Sequence, residues 1–208
     1  MAKRAFDLLL ASLGLVLLTP LLLLVALSIK LDSPGPVFYR QQRIGRHGVP
    51  FRIHKFRTMA HHSHDAAQAG AQVTVGADAR ITRVGAVLRR HKLDELPQLI
   101  DVLQGAMSLV GPRPEVPRYV ALYPPDLRAK VLSVRPGITD LASIAFRNES
   151  ELLARAADPE REYVQVVMPQ KLALAASYAD AASLGLDLRI LWRTLRLLMT
   201  SDGAPDAR

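Results

Sequence analysis

Asp94 and Glu95 are adjacent carboxylates set among residues suited to phosphate. Arg89, Arg90, His91 and Lys92 precede them, and Gly111-Pro112-Arg113-Pro114 follows. A guanidinium presents a planar fork of donors that matches phosphate oxygens, and a helix N-terminus adds N–H groups aimed at an anion. Between such cations a carboxylate can attack phosphorus, or it can hold Mg²⁺, which takes one or two carboxylates together with substrate phosphates. A simpler reading needs no chemistry. Aspartate is a good N-cap, glutamate suits a first turn and Pro97 is tolerated there, so spacing alone explains the pair as the start of a helix. Arg113, bracketed by prolines, fits a positioned donor better than a freely solvated charge.

The elements that must carry these groups are mostly helical. Val84, Leu88, Leu96, Ile100 and Leu103 recur at helical spacing, and Pro97 divides the run into two helices that meet near Leu93, beside the acids. Ser33-Pro34-Gly35-Pro36 is a rigid break, after which residues 37–39 and 51–53 read as short strands around a turn at 45–48. No long sheet is indicated, so the expected fold is α-dominated, an α+β class with few short strands. Residues 61–76 lack an apolar period and read as a mobile loop or weak helix. Their His61, His62 and His64 have only Asp65 as a carboxylate neighbour, a poor metal site. Pro159 marks a helix start and Pro169 a kink.

Composition narrows the partners. Lys plus Arg number 27 against 19 for Asp plus Glu, a net charge of +8 that favours anionic partners without choosing among nucleic acid, anionic lipid and phosphorylated substrates. Aromatic residues are 5%, too few for a platform that stacks bases, so nucleic acid is not an expected partner. The absence of cysteine excludes a disulfide scaffold and thiolate chemistry.

Residues 8–29 are 22 residues without a charge. The run exceeds the ~7 to 15 residues of a signal-peptide core and no small-residue cleavage site follows, so it is expected to stay attached as an anchor. It is long enough to span a bilayer. Thr19-Pro20 lies in its middle, where proline removes a backbone hydrogen bond and bends the helix, and basic residues flank both ends, favouring the cytoplasmic side for each. A re-entrant hairpin satisfies both observations, though a kinked span satisfies the first. At the other end of the chain, Leu188, Leu191, Trp192, Leu195, Leu198 and Met199 form one apolar helical face with Arg189, Arg193 and Arg196 beside it, the pattern of a helix lying in the membrane interface or of a core helix with a basic outer side. A membrane-anchored binding module would also fit the charge and these helices, but it gives no reason for the acid pair or for Arg113.

Five motifs make the sequence recognisable: K-F-R-T-M at 55–59, I-T-R-V-G at 81–85, L-D-E-L-P-Q-L at 93–99, M-S-L-V-G-P-R-P-E at 107–115 and R-P-G-I-T at 135–139. In this order they closely resemble the bacterial sugar transferases known as small monotopic phosphoglycosyl transferases, over nearly the whole chain. The resemblance implies transfer of a sugar 1-phosphate from a UDP-sugar to a polyprenyl phosphate, such as undecaprenyl phosphate, with release of UMP. That is the first membrane step of glycoconjugate or polysaccharide assembly. It further implies a ping-pong mechanism with Asp94 as nucleophile and Mg²⁺ contact, and Glu95 as its catalytic partner. Arg113 corresponds to a phosphate-binding arginine, and Lys55, Arg57, Arg89, Gln98, Glu115 and Arg135 are expected to line or support the phosphate and nucleotide site. Thr19 and Pro20 fall at the family's re-entrant break. The implied organisation is an anchor at 1–32, a catalytic domain at 33–200 and a flexible tail at 201–208, on the cytoplasmic face of the bacterial inner membrane among phospholipids, with a homodimer left open. His91-Lys92 and the run after Thr139 depart from common family patterns, so the resemblance does not specify the sugar. A direct transfer with no covalent intermediate would need no carboxylate nucleophile.

Overall fold

The computed structural model describes residues 2–60 and 78–200. The expected loop at 61–76, its histidines and the tail at 201–208 lie outside the described residues.

The uncharged leucine-rich run forms one helix, α1 (Ala2–Asp32), and Ser33-Pro34-Gly35-Pro36 ends it. Thr19 and Pro20, the expected break, lie inside α1, which continues through them. Proline removes a single hydrogen bond from a ladder long enough to survive the loss, and the Thr19 hydroxyl donates to the Leu15 carbonyl at 2.6 Å, a bond of the kind that bends helices. Much of the helix is bare: Leu9 and Leu17 are each 68% exposed and Leu31 is 79% exposed.

Both ends of α1 are bonded to the rest of the protein. At the start, Lys3 Nζ donates to Asp187 at 2.6 Å and to the Val110 carbonyl at 3.1 Å. One turn later the buried Asp7 carboxylate accepts from the Ser108 hydroxyl at 2.8 Å and the Leu109 N–H at 3.2 Å. Tyr178 completes this network by donating to Asp187 and to the Val110 carbonyl. At the other end, the Arg57 guanidinium donates to the carbonyls of Ile29, Ser33 and Pro34, and Asp32 accepts from the Val84 N–H at 3.2 Å. The orphan carbonyls at a helix C-terminus attract such a cation.

Strands β1 (Phe38–Ile44) and β2 (Pro50–Phe56) form an antiparallel hairpin, longer than the pattern indicated, with Phe38 opposite Phe56 and Ile44 opposite Pro50. Then come α2 (Arg83–Arg90), capped by the Thr82 hydroxyl, a 3₁₀ turn (Leu93–Glu95) and α3 (Gln98–Gln104). Strand β3 (Ser108–Val110) pairs in parallel with β4 (Gly137–Thr139). This contact demands glycine at its end, because a Cβ on Gly111 would lie 2.2 Å from the Arg135 carbonyl oxygen. Short helices α4 (Pro117–Val120) and α5 (Pro125–Val131) connect the two strands. After them lie α6 (Leu141–Ala145), α7 (Glu149–Ala154) and α8 (Pro159–Glu162). A π turn (Tyr163–Val167) runs into α9 (Met168–Ala181), which has Pro169, expected as a kink, in its first turn, and α10 (Leu184–Met199) closes the described chain. The α-dominated expectation holds.

The largest core region that bears on the site joins Ala11 of α1, Ile53 of β2, Leu99 and Val102 of α3, Val110 of β3 and Ile190 of α10. A second joins Val25 and Ile29 to Phe56 and Leu88, and a third gathers α4 and α9 around Tyr163. On α10, Ile190 is buried while Trp192 is 64% exposed, and Leu188, Leu195, Leu198 and Met199 are exposed with it. Of the expected apolar face, Leu191 alone turns inward against the core.

Candidate active site

The acid pair sits where α2 stops. Lys92 adopts a left-handed conformation (φ 57°), which ends the α2 segment and turns the chain into the 3₁₀ turn carrying Asp94 and Glu95. Asp94 does not cap α3. The residue at the N-cap is Pro97, no side-chain cap bond is made there, and the capping alternative falls. The Asp94 carboxylate, buried at 4% exposure, instead meets Lys55 Nζ at 3.1 Å from Oδ2.

Lys55 also lies 3.0 Å from Glu95 Oε1, so one ammonium from β2 bridges both acids. Arg113 grips Glu95 with both terminal nitrogens, Nη1 to Oε2 at 2.9 Å and Nη2 to Oε1. The Arg113 backbone is held in turn by Asp140, whose carboxylate accepts from the Arg113 N–H at 3.1 Å and from the Ser143 N–H at 2.6 Å. Burial pushes the Glu95 carboxyl upward, but Arg113 and Lys55 together outweigh it and hold the group well below the usual carboxylate range. Glu95 reciprocally raises Arg113 against the opposing effect of burial.

Arg89 approaches from α2, its Nε donating to the Thr58 hydroxyl at 2.9 Å. Close packing makes this possible, since a Cβ on Gly85 would lie 2.1 Å from the Thr58 carbonyl oxygen. Burial pulls the Arg89 guanidinium down, and the charges of Asp94 and Asp78 act against that. Three cations therefore surround the acids.

Other expected residues lie elsewhere. Arg57 is 2% exposed and donates to the carbonyls of Ile29, Ser33 and Pro34 at the end of α1, a contact away from the acid pair. Arg135 Nε donates to the Gly105 carbonyl at 3.0 Å, at the far end of α3 from the acids. Glu115 accepts from the Tyr163 hydroxyl at 3.0 Å and lines a small cleft together with Arg113, Tyr123 and Lys171. Gln98, in the first turn of α3, is fully buried with both amide atoms unpartnered.

No cluster of three or more His, Asp or Glu side chains suited to a metal occurs among the described residues. The donor set still fits a hard cation shared with a substrate. Asp94 Oδ2 meets Lys55, which leaves one carboxylate oxygen for Mg²⁺, and substrate phosphates normally supply the remaining ligands with water.

The family model described as bacterial sugar transferase matches residues 1–201. The chain belongs to this family. The sugar transferase is 42% identical over 206 residues to the UDP-glucose:undecaprenyl-phosphate glucose-1-phosphate transferase of Caulobacter vibrioides, covering 97% of this chain and 71% of that protein. It is 39% identical over 204 residues to the UDP-N-acetylgalactosamine-undecaprenyl-phosphate N-acetylgalactosaminephosphotransferase of Aeromonas hydrophila, covering 97% of this chain but 44% of that protein. The exopolysaccharide production protein PSS of Rhizobium leguminosarum is 38% identical over 201 residues, covering 93% of this chain and 92% of PSS. Two of these names carry different sugars.

Several residues that shape the sugar transferase's site were not singled out by sequence reasoning, although Thr58 lies within the motif at 55–59. Thr58, Asp140, His54 and Asp101 are ordinary residues by type and spacing, and each acts on a partner at least 27 positions away. Asp140 alone offered a hint, as an aspartate three residues before Ser143 at a helix start.

Proposed function

We propose that this sugar transferase moves a sugar 1-phosphate from a UDP-sugar to a polyprenyl phosphate through a phosphosugar–Asp94 intermediate. One observation carries the reading: Asp94 is a buried carboxylate that caps nothing and faces Lys55, with Arg113 and Arg89 close by. The relatives' names supply the substrate classes.

In the first step an Asp94 oxygen forms a bond to the β-phosphorus. The bond from that phosphorus to the bridging oxygen breaks, and UMP departs with the electron pair. In the second, an oxygen of the lipid phosphate attacks the same phosphorus, the acyl phosphate bond breaks, and Asp94 returns as a carboxylate. Lys55 holds Asp94 in place, Arg89 faces the phosphate oxygens as charge builds, and Arg113, its terminal nitrogens on Glu95, adds positive charge beside them. Glu95, kept ionised by two cations, is suited to fixing Lys55 and Arg113 rather than to taking a proton from the acceptor. Bound Mg²⁺ would supply charge neutralisation and alignment of the diphosphate, held by Asp94.

The test is UMP release from a panel of UDP-sugars in the presence of polyprenyl phosphate; a folded protein inactive with every donor overturns the reading. Arg113→Lys replaces a fork with a point charge, and turnover is expected to fall on the order of 10²-fold. UMP release by this variant at the wild-type rate would remove Arg113 from the phosphate site.

The anchor is read as re-entrant. A straight helix of 31 residues would reach ~46 Å and exceed the ~30 Å hydrocarbon layer, yet both ends of α1 bond to the same body through Asp187 and Arg57. A body on one face then requires both ends on that face, with α10 laying Trp192 and its exposed neighbours in the same interface. The basic flanks favour the cytoplasmic face of the inner membrane. Because the chain has no cysteine, single cysteines at Ala2 and Leu31 give a clean test. Both should react with an impermeant reagent only once the inner face is opened, and labelling of Ala2→Cys from outside intact cells establishes a span instead.

A further inference from the structure

We propose that His54 and Asp101 form a positioning pair that sets how Lys55 reaches the nucleophile Asp94, an inference that rests on the covalent mechanism above. Asp101, 1% exposed on α3, accepts two hydrogen bonds from one residue: the His54 backbone N–H at 2.8 Å and the imidazole Nδ1 at 2.7 Å. His54 is buried beside it, its ring edge-on to Phe38 with centroids 6.3 Å apart.

The placement follows from the hairpin. Strand β1 pairs with one edge of β2 and leaves the other edge with open N–H groups. A buried N–H without a partner is costly, and here a carboxylate from α3 supplies one. Leu99 and Val102 of α3 already pack with Ile53 of β2, so apolar contact alone would hold the two elements together. Burying a carboxylate adds a desolvation cost that a hydrophobic pair would avoid. The two directional bonds contribute register: one fixes the strand along the helix, the other fixes the ring.

Register matters because, one residue on, β2 meets the 3₁₀ turn that leads into α3. Asp94, in the 3₁₀ turn, comes seven residues before Asp101 of α3, whereas His54 and Lys55 are one strand step of about 3.4 Å apart. The extended Lys55 side chain spans the difference to reach Asp94 at 3.1 Å. Sliding β2 against α3 therefore alters the Lys55 bridge directly. Lysine has a flexible stem, so its reach depends on where its backbone is held. His54 and Asp101 touch neither acid and act through Lys55.

The experiment measures single-turnover capture of labelled sugar phosphate on the full chain in lipid nanodiscs, normalised to folded protein. His54→Leu should slow capture on the order of 10- to 100-fold, the cost of about an ångström of misplacement, with KM for the UDP-sugar changed less than about threefold. His54→Asn places an amide N–H near Nδ1 and should restore the rate to within about threefold of wild type. In a Lys55→Met background, His54→Leu should cost less than about twofold, because the group it positions is already gone. Asp101→Leu removes the acceptor for both bonds and should show the same loss and the same dependence on Lys55, which covers the case in which His54→Leu folds poorly. Equal losses with and without Lys55, or a His54→Asn protein as slow as His54→Leu, would overturn the proposal. A wild type that captures no label while turning over its substrates would instead sink the covalent mechanism, and this pair's role with it.

Discussion

Asp94→Asn is expected to leave the protein folded and to lower turnover by at least about 10⁴-fold, the scale of losing a covalent nucleophile. Asparagine has nearly the shape of aspartate, and Lys55 is not stranded by the change because its ammonium still lies 3.0 Å from Glu95. Had Asp94 been a helix cap, asparagine would have served almost as well, and even alanine would have cost only about 0.5 to 2 kcal/mol of stability. Thermal unfolding and UMP release separate the two cases. The same variant offers a second measurement: with labelled UDP-sugar and no lipid acceptor, wild-type protein should retain one sugar phosphate per site, and Asp94→Asn none. A folded Asp94→Asn protein that turns over at the wild-type rate would refute the nucleophile assignment.

Removal of divalent metal is expected to have an effect of similar size. Asp94 and Glu95 face Lys55, Arg113 and Arg89, but Glu95 already occupies both nitrogens of the Arg113 fork and shares Lys55. Little positive charge is left over for a diphosphate that must approach a carboxylate. Chelation with EDTA should therefore abolish UMP release, and added Mg²⁺ should restore it. Replacing His61, His62 and His64 should leave the Mg²⁺ requirement unchanged, since imidazoles with a single carboxylate neighbour are poor partners for a hard cation. Full activity in EDTA, or loss of the Mg²⁺ response in the triple-histidine variant, contradicts this account.

Local signals in the chain were dependable where the physics is local. The uncharged run, the Ser33 to Pro36 break, the hairpin turn near Gly45, the helix start at Pro159 and the two-helix division at Pro97 all depend on residues within a few positions of one another. These elements appear where spacing put them, with β1 and β2 extended because pairing stabilises strand ends beyond their apolar alternation. The cap at Asp94 failed for a reason of the same kind. Lys92 turned left-handed and a 3₁₀ turn consumed the acids before α3 began, leaving Pro97 at the cap.

The sequence by itself determined the family, the acid pair, the arginine between prolines and an N-terminal helix too apolar for water, because motif order, residue type and helical period are properties of short stretches. Tertiary structure decided which cation serves which acid. Arg57 and Lys55 are two residues apart in one motif, yet Arg57 turns to the carbonyls ending α1 while Lys55 bridges Asp94 and Glu95. Long flexible side chains can reach many partners, and packing of β2 between α1, α2 and α3 selects among them. The same packing, across 47 positions of sequence, brought His54 to Asp101.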